Sequence, residues 1–299
     1  MKTLLLTGAS GFVGHHILPL LEQKYKVETC GRKAGLDVTC DLAKELPVFN
    51  HAYDVVVHVA GKAHAVPTND REAHAFFEVN EQGTINLCRG LELVGMPKAF
   101  VYLSSAAVYG LDEGESVDET CALNGKTPYA QSKIKAENFL HTWCSTRKVV
   151  LTVLRPALIA GPHPPGNLDM MIQGILQGRY LNIAGGQARK SMLMVEDIAH
   201  IIPLAENIGG VYNLCADDHP SFKALSEQIS RQLNKKAPLN IPYWVAWCLA
   251  VVGDVIGKKA PFSSYRLRKM TQSLTFCNRK AKESLGWNPI EVLTHFRIQ

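Results

Sequence analysis

The chain opens on a short apolar run at residues 2–7. A glycine turn follows, and then apolar residues recur at helical spacing over 12–24. That is a strand–helix unit, and the pattern repeats. Strands are expected at 26–30, 54–60, 99–104 and 149–154, and the stretches 71–94 and 129–144 between them read as helices. Alternation of this kind predicts a parallel sheet covered by helices on both faces, a Rossmann-type doubly wound α/β fold. Pro19 lies inside the first helix and is expected to kink it, since it has no N–H to donate and its ring crowds the preceding turn.

The texture changes after Arg155-Pro156. Gly161-Pro162-His163-Pro164-Pro165-Gly166 fits no regular element, so a substrate-binding part is expected to begin there. A helix over 168–177, a strand over 191–195, a helix from 196 and a strand over 211–214 come next, and the last two are expected to return to the sheet. From Pro220 onward the pattern is mostly helical. The expected organisation is therefore interleaved. Residues 1–160 with 196–215 form a dinucleotide-binding domain, and 161–195 with 216–299 form a smaller, mostly helical substrate-binding part.

Composition narrows the function classes. With 299 residues, 46% hydrophobic and 20% charged, the chain can bury a substantial core. The first apolar stretch stops at Thr7-Gly8, short of the roughly 7–15 residues of a signal-peptide core, so no export is expected and the location reads as cytoplasmic. The longest apolar segment, 243–252, is well below the roughly 18 residues that would span a bilayer. A buried helix is expected there, with no stable membrane insertion; the alternative is a monotopic membrane contact. A net charge of +5 without any interleaved basic and aromatic run argues against nucleic acid and suits an anionic cofactor or substrate. Lys235-Lys236, Lys258-Lys259 and Arg266-Leu267-Arg268-Lys269 read as solvated surface. The eight cysteines form no C-x-x-C pair and read as reduced, buried and mostly inert, and no metal site is expected.

Gly8-Ala9-Ser10-Gly11-Phe12-Val13-Gly14 lies directly between the first strand and the first helix. Absent side chains let such a loop turn tightly and approach a pyrophosphate, whose charge then meets the positive end of the helix. Gly8, Ser10, Gly11, Phe12, Val13 and Gly14 are thus candidate cofactor contacts. The second strand ends Gly31-Arg32-Lys33, where a fold specific for NAD would place a carboxylate on the ribose hydroxyls. Glycine and two cations leave room and charge for a 2′-phosphate, so NADP(H) is favoured, with NAD(H) as the alternative. Asp41 and Leu42 can meet the adenine edge, or Asp41 can simply begin a short helix.

Tyr129 and Lys133 are four residues apart and share one helix face behind Pro128. A tyrosine of ordinary pKa near 10 is a poor base at neutral pH, and a nearby cation favours its phenolate. Ser104-Ser105 closes the strand over 99–104, at the carboxyl edge where open α/β sheets bind ligands. A hydroxyl there can polarise a carbonyl.

These residues resemble the extended short-chain dehydrogenase/reductase family, also called the NAD-dependent epimerase/dehydratase family. The motifs are Thr7-Gly8-x-x-Gly11-Phe12-x-Gly14, His58-Val59-Ala60-Gly61, Asn80 within Val79-Asn80-Glu81-Gln82-Gly83-Thr84, Leu103-Ser104-Ser105-x-x-Val108-Tyr109-Gly110, Pro128-Tyr129-x-x-Ser132-Lys133, Leu154-Arg155-Pro156 and Leu285-Gly286-Trp287. The resemblance implies Ser105 as catalytic hydroxyl, Tyr129 as acid/base, and Lys133 as its tuner and a ligand of the nicotinamide ribose. It implies Val59, Ala60, Gly61 and Leu103 along the cofactor, Pro156 and Leu158 beside the nicotinamide, and Asn80 as a support of the active-site hydrogen bonds. Asn167, Arg189 and Lys190 look like the nucleotide and diphosphate contacts of the nucleotide-sugar branch. Lys190 stands where many epimerases have arginine, so a bidentate clamp becomes a point charge there, and Arg189 can substitute. The expected activity is 4-keto-sugar reduction or 4-epimerisation of a nucleotide sugar. Two alternatives stand beside it: reduction of a non-nucleotide ketone, and a dinucleotide-binding sensor or scaffold without chemistry. The family resemblance also allows a homodimer through the helices over 71–94 and 129–144.

Overall fold

The computed structural model describes residues 1–63, 66–257 and 262–298, so the Lys258-Lys259 pair lies outside the described residues. Seven strands form one parallel sheet: β1 (Thr3–Thr7), β2 (Lys26–Gly31), β3 (Val38–Thr39), β4 (Val55–His58), β5 (Ala99–Leu103), β7 (Val150–Pro156) and β11 (Gly210–Leu214). Their order across the sheet is β11-β7-β5-β4-β1-β2-β3. The expected doubly wound fold is therefore the one observed. The chain runs one way from β1 to β2 and β3 and the other way from β4 outward, so a crevice opens between the carboxyl ends of β1 and β4.

Period-two alternation explains why both faces need helices. Leu4, Leu6, Val55 and Val57 point to one face and pack with Ile17 and Leu21 of α1 (Phe12–Leu21) and Ile198, Ile201 and Ile202 of α6 (Glu196–Ala205). Leu5, Val56 and Phe100 point to the other, against Leu87 and Leu91 of α3 (Gly83–Glu92) and Leu140 and Trp143 of α4 (Pro128–Arg147). Helix α1 continues through Pro19 for two residues and ends at Leu21.

Three short parallel pairs build the part outside the main sheet: β6 (Gly114–Val117) with β13 (Leu274–Phe276), β8 (Leu158–Ala160) with β10 (Met192–Met194), and β9 (Asn182–Ile183) with β12 (Asn240–Ile241). Around them stand α5 (Asn167–Leu176), α7 (Phe222–Gln232), α8 (Tyr243–Ile256), α9 (Ser264–Thr271) and α11 (Val292–His295), whereas α10 (Arg279–Leu285), expected in this part, packs through Ala281 and Leu285 into the core of the main sheet. A third core joins Leu168 and Ile172 of α5 to Leu225 and Ile229 of α7, and to Met192 and Phe296.

Three expectations need correction. The helix predicted over 71–94 is α2 (Asp70–Phe77) and α3 separated by a π-helical turn, Glu78–Gln82, which inserts an extra residue into the ladder. The apolar segment over 243–252 is helical but not buried. Only Ala246, Ala250 and Gly253 of α8 lie inside, because only that small-residue stripe fits against Ile183 and Leu267. The cysteines are all free, and Cys30, Cys40, Cys88, Cys144 and Cys215 are buried, yet Cys248 is exposed on α8.

Helix α4 is tied to the sheet by a buried polar network. Arg155 on β7 donates to both Glu137 oxygens, at 3.2 and 2.6 Å, and to the Tyr109 hydroxyl at 3.1 Å. Ser104 donates to the same Glu137 carboxylate, and Tyr109 donates to Asn213 on β11 at 2.6 Å. Both charged side chains are almost wholly buried. Removing one partner strands the other in a low-dielectric interior. Glu137→Ala should therefore lower unfolding free energy by about 3–5 kcal/mol, read from urea midpoints, and Glu137→Gln by less. A loss under ~1 kcal/mol in the alanine variant would show the pair to be dispensable.

Candidate active site

The loop after β1 is shaped by close approach. A Cβ on Gly8, whose φ is +74°, would fall 2.6 Å from the Ala60 nitrogen, and one on Gly14 would fall 2.2 Å from the Gly8 carbonyl oxygen. Glycine at these two positions lets the loop lie flat on Val59-Ala60 at the end of β4. Gly11 then caps α1 without a side-chain bond, and no acidic residue occupies the first turn. The helix thus presents its free N–H groups and positive end at the crevice. Ser10 and Gly11 are exposed there, and Phe12 and Val13 are half-buried. An open cleft of about 650 Å³ borders the loop, lined by Ser10, Gly11, Phe12, His15, His16 and His163 among others; the Tyr129 group is not part of it.

At the end of β2, Gly31 is half-buried and Arg32 and Lys33 are exposed. One carboxylate does approach this strand, that of Asp37, but it accepts from the Thr29 N–H at 2.8 Å and the Thr29 hydroxyl at 2.7 Å. Those bonds hold it below the usual carboxylate range. Asp41 stands at the start of a turn, accepting from the Ala43 N–H at 3.3 Å. Leu42 is buried, with its carbonyl accepting from Asn86.

A hydrogen-bonded chain behind the crevice has a fixed direction. The Ala60 N–H donates to the Thr7 hydroxyl at 3.3 Å, and at the other end the Thr84 hydroxyl donates to the Asn80 carbonyl at 2.6 Å. Between them the His58 ring meets Thr7 at 2.6 Å through Nδ1 and Thr84 at 2.9 Å through Nε2. Since Thr84 has given its proton to a carbonyl, it must accept from His58, so Nε2 carries the hydrogen and Nδ1 accepts from Thr7. Burial pushes His58 down to about 3, which keeps it neutral. The chain ends in the π-helical turn, where Asn80 accepts from the Lys62 N–H at 2.7 Å and donates to Ser132 at 2.9 Å.

Lys133 is buried and donates to the Leu103 carbonyl at 2.7 Å, with its ammonium 4.7 Å from the Tyr102 ring centre. Gly61 fits between Asn80 and Lys133; a Cβ there would lie 3.1 Å from the Asn80 side-chain oxygen and 3.3 Å from Lys133 Nζ. Ser105 caps the single 3₁₀ turn Ala106–Tyr109, accepting from the Ala107 N–H. Its hydroxyl faces Tyr129 and opposes the burial that raises the phenol above its ordinary 10. Burial acts on Lys133 in the other direction and pushes it down to about 8, with Glu137 pulling back up. Burial thus favours the protonated phenol at Tyr129, and Lys133 stands one helical turn after it on α4.

Pro156 ends β7, the neighbour of β5 in the sheet, and Leu158 begins β8, which pairs with β10 outside it. Asn167 is exposed at the start of α5. Arg189 is exposed and donates to the His219 carbonyl at 3.0 Å. Lys190 is pushed down to about 8 by burial and by Lys269, with Asp112 opposing. The functions of His58, Thr7, Thr84 and Ser132 in this arrangement were not anticipated. The available signal was a histidine closing the otherwise apolar run Val55-Val56-Val57.

The model of the NAD dependent epimerase/dehydratase family matches residues 4–215. The N-acetyl-alpha-D-glucosaminyl-diphospho-ditrans,octacis-undecaprenol 4-epimerase of Escherichia coli O157:H7 is 28% identical, over 94% of this chain and 88% of its own length. The GDP-6-deoxy-D-mannose reductase of Pseudomonas aeruginosa is 29% identical, over 77% and 79%. The structure of RMD from Pseudomonas aeruginosa complexed with NADPH superposes with a TM-score of 0.74 at 21% identity, covering 98% of this chain and 95% of that one.

The depressed Lys133 has a measurable signature. Between about 8 and 10.5 the unfolded chain binds more protons than the folded one, so this lysine makes stability rise with pH across that window; below 8 its burial cost is present in full. Lys133→Met removes the effect. From pH 7.5 to 10, the stability of the unaltered protein relative to this variant should rise by up to ~3 kcal/mol in urea unfolding, whereas a constant difference would refute the shift.

Proposed function

The chain belongs to the NAD dependent epimerase/dehydratase family, and we propose that it is an NAD(P)-dependent oxidoreductase acting on a nucleotide-diphosphate sugar. The reaction is reduction of a 4-keto sugar or inversion at C4. The observation that carries the reading is the meeting of Ser105, Tyr129 and Lys133 at the carboxyl end of β5, next to Gly61 and the crevice between β1 and β4.

The loop geometry fits a dinucleotide, because a Cβ at Gly8 or Gly14 would collide with backbone and the capping Gly11 leaves the α1 N–H groups unmasked. In this reading Gly8, Ser10, Gly11, Phe12, Val13 and Gly14 hold the pyrophosphate, and Gly31 and Arg32 take the adenosine 2′-phosphate. Val59, Ala60, Gly61, Asn80, Leu103, Pro156 and Leu158 border the nicotinamide half. When bound, the nicotinamide supplies or accepts the hydride. The rest of the chemistry is a proton problem. Ser105 donates to the sugar carbonyl oxygen and orients it, and Tyr129 gives its proton to that oxygen as it becomes a hydroxyl. A phenol kept protonated by burial suits this acid role. Lys133 takes the ribose hydroxyls and supplies positive charge, with Asn80 fixing the Lys62 backbone and Ser132 around it. The part outside the main sheet holds the substrate, Asn167 at the nucleotide and Lys190 at the diphosphate.

Absorbance at 340 nm with NADPH or NADH and a panel of UDP- and dTDP-4-keto sugars tests the activity. Consumption of NADPH with one of them supports a reductase; interconversion of C4 epimers without net consumption supports an epimerase. Tyr129→Phe should bind cofactor as before and lose at least ~100-fold in turnover, and full activity in that variant sinks the mechanism. Arg32→Glu should raise KM for NADPH about 10- to 100-fold and leave that for NADH nearly unchanged.

A further inference from the structure

We propose that helices α8 and α9 form a docking face for the surface of an anionic lipid bilayer. Helix α8 is apolar apart from the exposed Asp254, yet only Ala246, Ala250 and Gly253 are covered. Outward it presents Trp244 at 68% exposure, Trp247 at 52% and Val255 at 84%, together with Tyr243, Val252 and Ile256. Leu239 before it and Tyr265 on α9 extend the patch. A contiguous exposed apolar surface with two tryptophans is unusual on a protein that stays in water, and it marks an interaction site.

Charge selects the occupant. Residues 235–272 hold seven lysines and arginines and a single acid, a net of +6, while the whole chain carries only +5. All of the molecule's excess positive charge thus belongs to the segment that exposes the apolar helix. Lys235 and Lys236 are exposed at the approach to α8, and Arg268 and Lys269 are exposed on α9. The one acid, Asp254, is occupied in accepting from the Ser264 N–H. A second copy of this chain would bring the same positive charge against itself, whereas an anionic headgroup layer complements it. Tryptophan and tyrosine flanked by cations are the side chains that settle at headgroup level.

The helix lies on the bilayer and does not cross it. Among the described residues no helix is long and apolar enough to span, and the 14 residues of α8 give roughly 21 Å of length against a hydrocarbon thickness of about 30 Å. Three residues after α9, Leu274 bridges Lys190, so the docked face adjoins the lysine assigned to the diphosphate. The docking itself does not rest on the nucleotide-sugar reading, and vesicle binding and turnover fail separately.

The test uses the full chain with vesicles of phosphatidylcholine alone or mixed with phosphatidylglycerol. Sedimentation with the anionic vesicles should exceed that with neutral ones by at least ~10-fold at low salt and decline as salt is added. Of the four tryptophans, Trp143 and Trp287 are buried, so a blue shift of emission and quenching by brominated acyl chains would come from Trp244 and Trp247. Both signals should vanish in the double variant Trp244→Ser/Trp247→Ser. Lys235→Glu/Lys236→Glu should weaken anionic binding about 10-fold with NADPH binding unchanged. Absence of vesicle binding at low salt, or binding indifferent to the tryptophan pair, overturns the proposal; a dimer in sedimentation equilibrium that the tryptophan variant dissociates reassigns the face to a second copy.

Discussion

The buried carboxylate of Glu137 is the interaction on which the arrangement of the site depends. It stands one helical turn after Lys133 on α4, so a single helix face carries a cation and the anion that answers it. Its oxygens receive Arg155 from β7 and Ser104 from the end of β5, which fixes the rotation and depth of α4 against two strands at once. A hydrophobic contact would hold the helix but tolerate sliding. A bidentate, desolvated pair does not, because every displacement exposes one charge to an interior that cannot solvate it. The same carboxylate also opposes the burial that discharges Lys133.

The other side of the crevice is set by direction rather than charge. From the Ala60 N–H to the Asn80 carbonyl, each donor faces an acceptor through Thr7, His58 and Thr84, and reversing any one link would leave two donors or two acceptors opposed. That chain crosses from β1 through β4 to the helices behind, and it ends in a π-helical turn. The extra residue of that turn turns Asn80 toward Lys62 and Ser132 and sets the space in which Gly61 meets Lys133.

The sheet was legible because strands buried on both faces are long apolar runs, and because glycines between the first strand and helix announce a close approach. Tyr129, Lys133 and Ser105 were legible by spacing and by their place at strand and helix ends. The π-helical turn was not, since Glu78–Gln82 has a single apolar residue, Val79, and its buried position is the polar Asn80. Strands of two to four residues, such as β8, β9 and β12, are too short to show a period, and they form only where another segment lies alongside. Buried and exposed apolar helices read alike as well: α8 is as hydrophobic as a core helix, and its exposure depends on which neighbour the chain provides. The direction of the Tyr129 shift needed the burial of the phenol, which spacing alone does not contain.

Burial moves Tyr129 and Lys133 toward their neutral forms from opposite sides, one upward and the other down to about 8. A site built this way stores its charge cheaply at rest and lets small additions decide the chemistry. An extra positive charge near the phenol favours its ionised form and hence the taking of a proton, whereas without it the phenol remains a donor. In the proposed reaction this desolvation would let one tyrosine serve either direction of a carbonyl–alcohol exchange. The same desolvation lowers the stability of the fold at neutral pH through Lys133, so the network around Glu137 has to supply what the reacting pair withdraws.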